Sequence, residues 1–271
     1  MSKSVSSKKK TAVSYQQLLI LYRIYCFRFV TTSQIQQVLN KKQIQQSQQR
    51  LNLLLKRGWI ARNFSSQDRL TGQYASYYLL PAGIKVLKQN KDKSKNIILN
   101  ENVLHNIYKD KTASKRFINH CLVLGDIDLN LKRLFKDKIT YYDKSYLADF
   151  DYLPKPTPDG YIAQKRRTNL SKDYFLEYFE ESVPFFVHQK RIKQYIQYKQ
   201  EGDWEESTDD EVPQNRFVAE TEKLQKKIIK YTINYLEEYY YKKSSIFITN
   251  LELLKTSEDA KVWYLVHKQD D

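Results

Sequence analysis

Three short stretches of helical period, followed at once by an aromatic stretch of alternating period, fill the first 90 residues, and that order leaves few folds open to them. Ser14 followed by Gln17 is a capping-box start, and Leu18, Leu19, Leu21, Tyr22, Tyr25, Cys26 and Phe29 give the first helix a wide apolar face. Thr31 and Thr32 break it. A second helix spans residues 33–39 with Ile35, Val38 and Leu39 apolar, and a turn covers 40–42. The third, over 43–56, turns Ile44, Leu51, Leu54 and Leu55 inward and stops before Gly58. Trp59, Ile60, Arg62 and Phe64 then read as one strand, and Tyr74, Tyr77, Tyr78, Leu79 and Leu80 as its partner, around a flexible polar loop at 65–73 that holds Gly72. Pro81 opens a closing helix with Ala82, Ile84, Val86 and Leu87 on its apolar side. Three helices, a hairpin and a closing helix describe a winged helix-turn-helix domain over residues 14–89, preceded by a disordered basic tail at 1–13 that carries Lys8, Lys9 and Lys10.

Charge is divided unevenly along the 271 residues. The chain holds 46 basic and 31 acidic side chains, a net of +15, but the first 100 residues hold 18 of the basic groups against only Asp68 and Asp92. The remaining residues are almost neutral, with 28 basic and 29 acidic groups. A net +16 on one small module favours a polyanion and steers it in, with DNA or RNA the first candidate and an anionic membrane surface the competitor. Two cysteines among apolar neighbours and no apolar run of bilayer length favour buried thiols in a cytoplasmic protein without a membrane span.

In a helix-turn-helix the second helix of the motif enters the major groove. Here that is the 43–56 helix, whose Gln45, Gln46, Gln48 and Gln49 suit bidentate contact with adenine. Lys41, Lys42, Arg50, Lys56 and Arg57 are expected to serve phosphates, with Arg62 and Arg69 in the wing. Against this stand the good helix propensity of glutamine and the use of some winged helices as protein-docking modules.

Beyond a polar linker at 90–105, residues 106–271 read as a mixed α/β or α+β domain. A long helix from Thr112 or Ser114 to Phe135 is expected to pack across a sheet. Strands are expected at 139–142, 146–152, 160–164, 174–179, 245–249 and 262–266, and helices at 187–199 and 219–241. A proline-rich turn falls at 154–158 and an acidic loop at 201–211.

The run Tyr78-Leu79-Leu80-Pro81-Ala82-Gly83-Ile84-Lys85-Val86-Leu87, then Asn119-His120-Cys121-Leu122-Val123-Leu124-Gly125-Asp126-Ile127, Pro158-Asp159, Phe175-Leu176-Glu177 and Lys190 with Tyr195, resembles the replication-relaxation family of plasmid and mobile-element proteins. The resemblance covers about 14–198 and is carried by the order of its loose motifs. It implies a double-stranded-DNA-binding protein acting in replication, relaxation or mobilisation. Its second domain would serve homodimerisation or recruitment of replication or mobilisation proteins.

Candidate chemistry centres on Asp159 and Glu177, which could meet at neighbouring strand ends and hold Mg²⁺ through oxygen ligands, with Lys190 stabilising a phosphodiester. Pro158-Asp159 and Glu177 resemble the first two elements of the restriction-endonuclease-like superfamily, but the position two after Glu177 is Phe179 instead of lysine. A degenerate nuclease-like core that needs no cofactor is therefore the expectation. A Mg²⁺-dependent DNA endonuclease is the alternative, and a winged-helix transcriptional repressor a third reading. His120 reads as a partly buried histidine held by a backbone or carboxylate partner. Asp126 and Asp128 do not complete a zinc set with four scattered histidines and two distant cysteines. The Tyr239-Tyr240-Tyr241 run lacks the histidine cluster or arginine pocket that a tyrosine nucleophile needs, and no phosphate-binding Gly-Lys loop is present.

Overall fold

Reciprocal capping begins the fold. The Ser14 hydroxyl accepts from the Gln17 N–H while the Gln17 side chain accepts from the Ser14 N–H, which starts α1 (Tyr15–Phe27); Thr31 and Gln34 repeat the device for α2 (Thr32–Val38). In the computed structural model, which describes residues 12–93, 97–136, 138–164, 172–238 and 246–266, these two helices and α3 (Ile44–Lys56) enclose a core of Ile20, Leu21, Ile24, Ile35, Leu51 and Leu54. A three-stranded antiparallel sheet closes it. β1 (Val30–Thr31) and β2 (Ile60–Asn63) flank β3 (Ser76–Leu79). Between β2 and β3 the expected flexible loop contains a short helix, α4 (Ser66–Leu70), because Ser65 and Asp68 form another capping box.

Helix α5 (Pro81–Asn90) packs so closely on the hairpin that a Cβ on Gly83 would lie 2.2 Å from the Trp59 carbonyl oxygen. That oxygen already accepts from the Leu80 N–H at 3.0 Å, so neither backbone can yield cheaply. Gly83→Ala is expected to cost about 1–3 kcal/mol through overpacking, readable as a lower urea midpoint with unchanged m-value.

The stretch expected as a linker is built into the first core. Helix α6 (Glu101–Asn106) places Leu104 there together with Ile107, and the Asn100 N–H donates to the Tyr25 hydroxyl at 2.7 Å.

A mixed α/β domain follows this α-rich region. Its six-stranded sheet runs in the order β4 (Ile139–Asp143), β5 (Gly160–Gln164), β6 (Lys172–Phe179), β7 (Gln214–Ala219), β8 (Ile246–Asn250), β9 (Tyr264–Leu265). Pairing is antiparallel except for β6–β7 and β7–β8, where α9 (Phe185–Glu201) and α11 (Glu222–Glu238) supply the crossovers that parallel neighbours require. Alternation along β6 shows the two buried faces. Phe175 and Phe179 join Ile192, Tyr195 and Ile228 under α9 and α11, whereas Tyr174, Leu176 and Tyr178 join Leu124, Ile127 and Leu131 of α7 (Lys115–Phe135).

Helix α7 also faces the first region. Arg23 of α1 pairs with Asp128 and donates to the Gly125 carbonyl, and Gln34 of α2 donates to the Leu122 carbonyl at 2.7 Å and to Asp126 at 2.8 Å. Phe29 and Tyr78 pack with Ile118 and Cys121. One helix thus packs against both regions.

Several expectations are corrected. Residues 146–152 are not a strand: the Asp143 carboxylate accepts from the Ser145 N–H and starts α8 (Lys144–Leu147). The acidic stretch contains α10 (Asp203–Thr208), whose first turn carries three acids where the helix dipole favours them. The helix expected from 219 begins at Glu222, because Ala219 ends β7, a central strand not anticipated from its polar start. After β8 comes α12 (Leu251–Thr256). The Lys8–Lys10 patch and the Tyr239–Tyr241 run lie outside the described residues.

Candidate functional site

Helix α3 presents one solvent face. Gln45, Gln49, Asn52 and Lys56 are exposed at spacings of four, three and four residues, with Gln46 beside them, while Ser47, Leu51 and Leu54 face the core. Lys42 is exposed just before the helix and Lys41 half-buried. Two of the expected contact residues are turned to other work. Gln48 accepts from the Thr32 hydroxyl and donates to the Tyr77 hydroxyl, each at 3.1 Å, which pins α3 to α2 and β3. Arg57 donates to Gln17 at 3.2 Å and stacks over Trp59. Arg50 is half-buried, its Nε without a partner. On the hairpin Arg62 and Arg69 are exposed, both over the Phe64 ring.

The second surface is a cleft of about 580 Å³ between the start of α7, the end of β6 and α9. The pairing of Gly160 with Leu176 carries Asp159 alongside Glu177, so the two sequence-selected carboxylates line the same cleft. Asp159 accepts from the Tyr178 N–H at 3.1 Å and lies 3.3 Å from Lys144 Nζ and 3.4 Å from His120 Nε2. Burial alone would raise its pKa. The His120 hydrogen bond, the charges of Lys144 and His120 and the Tyr178 N–H outweigh it and hold the carboxyl far below the usual range. Glu177 behaves oppositely: burial and the Asp159 charge raise its pKa against the pull of Arg191.

Lys190 is exposed and lines the cleft, but the cation on Glu177 is its neighbour Arg191, which donates from Nε at 2.9 Å and Nη2 at 2.8 Å. The Tyr195 hydroxyl donates to the same carboxylate at 2.7 Å. Arg191 and Tyr195 stand four apart on α9, a spacing that shows a shared helix face without showing what it meets. Glu180 also escaped the sequence reading. It takes His120 Nδ1 at 2.5 Å and Arg116 Nε at 3.0 Å, so His120 bridges two carboxylates.

Burial opposes the charged imidazolium, yet Asp159 and Glu180 outweigh it and raise the His120 pKa. A raised folded pKa gives stability that is complete below the unfolded value of about 6.5 and is lost as pH rises through the folded value. The wild type is therefore expected to lose thermal stability as pH rises above about 6.5, by a His120-dependent amount. His120→Gln should flatten that loss, and an equal loss in both proteins would remove His120 as the titrating group.

The donor set does not suit Mg²⁺. Both Glu177 oxygens are taken by Arg191 and Tyr195, and Asp159 is engaged by a backbone N–H, a lysine and a histidine. Among the described residues no group of three or more His, Cys, Asp or Glu side chains is disposed to hold a metal ion. Cys121, beside His120, is buried with its thiol pKa pushed up to about 12, which makes it a poor nucleophile.

A family model described as Replication-relaxation matches residues 21–212. The chain belongs to the replication-relaxation family. No curated protein and no solved structure matches it. Both surfaces fall inside the replication-relaxation match, whereas β7, β8 and β9 follow it. Membership ties the protein in general terms to plasmid and mobile-element biology. No helix among the described residues is long and apolar enough to cross a membrane.

Proposed function

We propose that the protein binds duplex DNA of a plasmid or mobile element through a winged helix-turn-helix and acts in that element's replication, relaxation or mobilisation. Helices α2 and α3 would be the motif, α3 the element entering the major groove, and the β2–β3 hairpin the wing. The observation that carries this reading is the exposed, acid-free stripe Gln45, Gln49, Asn52 and Lys56 on α3, continued by Lys42. Asp68, one of two acids in the first 100 residues, is capped by Ser65 and paired with Lys115 at 3.0 Å, so it does not offset the field of this surface.

The test is fluorescence anisotropy of the full chain on origin-containing and unrelated duplexes across a salt series. Gln45→Ala combined with Gln49→Ala is expected to lower the preference for the specific duplex by about 1–3 kcal/mol per lost base contact while sparing non-specific affinity. Equal preference in variant and wild type would remove α3 as the reading element.

For the α/β half, we read the cleft as a nuclease-like scaffold whose carboxylates are committed to internal cations. Supercoiled plasmid with Mg²⁺ or Mn²⁺ is expected to remain uncut. Cleavage abolished by Asp159→Ala or Glu177→Ala would overturn this in favour of the endonuclease.

A further inference from the structure

Arg191 satisfies only part of its guanidinium within the protein. Nε and Nη2 go to Glu177, and Nη2 also to the Tyr195 hydroxyl, while Nη1 is buried without a hydrogen-bond partner. The residue is 7% exposed and lines the cleft. An unpaired buried donor costs about 1–3 kcal/mol, and more when it is charged. Such a group in a native protein marks strain, a functional role or a place for a water or ion. Among the described residues, the other buried guanidinium nitrogens without partners belong to Arg23, Arg50 and Arg216, none of which lines this cleft.

Three further cations share the cleft wall. Lys190 is exposed, and the Lys144 and Arg116 side chains are 54% and 62% exposed even while touching Asp159 and Glu180. Three of these four cations, Arg191, Lys144 and Arg116, already pair with the cleft carboxylates Glu177, Asp159 and Glu180, so Lys190 is the cation in excess, and His120, held between Asp159 and Glu180, adds to it when protonated. The wall also carries apolar surface: Phe117, 40% exposed, and Val187, 41% exposed. A cleft of about 580 Å³ takes one or two nucleotides, and is too small for a duplex. Cations beside an exposed ring are what an unpaired strand requires, with phosphates on the charges and a base on the aromatic face.

We propose that the cleft between α7 and α9 binds single-stranded DNA, seating one backbone phosphate on Arg191 and Lys190. Arg116 and Lys144 hold the neighbouring phosphate, and Phe117 stacks an unpaired base. This site is separate from the duplex surface on α3 and needs no metal. It gives a protein that docks on duplex DNA a grip on a strand that has been opened beside it.

The test uses the full chain in EDTA with a labelled single strand of about eight nucleotides, the duplex probe, and inorganic phosphate as competitor. Lys190→Glu and Arg116→Glu are each expected to weaken single-strand binding by about tenfold or more while duplex affinity stays within about twofold. Arg191→Lys, which keeps a cation beside Glu177 and removes Nη1, should weaken the single strand as well. Circular dichroism reports whether each variant is folded. Single-strand affinity unchanged by both Lys190→Glu and Arg116→Glu overturns the proposal. So does a wild type that binds inorganic phosphate and ignores the oligonucleotide, which would make the cleft a free-anion site. Failure of the duplex reading is seen separately, as duplex affinity indifferent to substitutions on α3.

Discussion

Asp128→Ala is expected to destabilise the protein by about 3–5 kcal/mol, because it strands a buried guanidinium. Asp128 is fully buried on α7 and Arg23, on α1, is 7% exposed. Without the carboxylate, Arg23 keeps only the Gly125 carbonyl at 2.8 Å and its stacking over the Phe27 ring. The reverse change should cost less. Lys132 already reaches Asp128 at 3.0 Å from the exposed side of α7 and would still neutralise the carboxylate in Arg23→Leu. Replacing both partners together with apolar residues should recover much of the loss, since the pair also carries a desolvation penalty. Urea unfolding followed by tyrosine fluorescence and by circular dichroism checks all three variants. Coincident transitions are expected from both probes, because α7 packs against both regions. If Asp128→Ala unfolds at the wild-type midpoint, the pair does not hold α1 to α7.

The second large effect concerns the duplex. Lys41→Glu with Lys42→Glu places two negative charges at the entrance to α3, where the wild type has no acid within reach in sequence. Duplex affinity is expected to fall by about 100-fold at low salt, and the slope of log affinity against log salt to shrink by about 2, one for each lost phosphate contact. The effect should be nearly the same for specific and unrelated duplexes, because phosphate contacts carry no sequence information. An unchanged slope would show that neither lysine touches the backbone. Gln45→Ala with Gln49→Ala should show the complementary result, a loss of preference with little change in slope.

The helices of the first region were legible because their signals are local. Ser14 with Gln17 caps within one turn, and the apolar spacing of α1 and α3 shows which sides are buried whatever they pack against. Strand β7 was hidden for the opposite reason. Its Gln214, Asn215 and Arg216 look like loop residues, and Arg216 is accommodated in a central strand among the rings of Phe135, Tyr174 and Trp263. Those rings come from three distant parts of the chain, so no window of sequence contains the reason. The cleft shows the same division. Pro158-Asp159 and Glu177 could be picked out as paired carboxylates, but whether Lys190 or Arg191 reaches Glu177 depends on the rotation of α9 against β6, which neighbouring residues on one helix do not reveal. Gln48 is the matching case on α3, one glutamine among four that the docking of α2 and β3 turned inward.

By itself the sequence determined the three helices and the two hairpin strands of the first region, though neither β1 nor α4, together with the family and the division of charge into a +16 first region and a nearly neutral remainder. All three rest on local spacing, motif order or simple counting. Only the tertiary structure decided that α7 joins the two halves, that Arg191 and Lys144 take the carboxylates, and that one guanidinium nitrogen of the cleft-lining Arg191 is buried unpaired. These depend on which groups meet across long separations in the chain, and burial makes each such meeting either paired or costly.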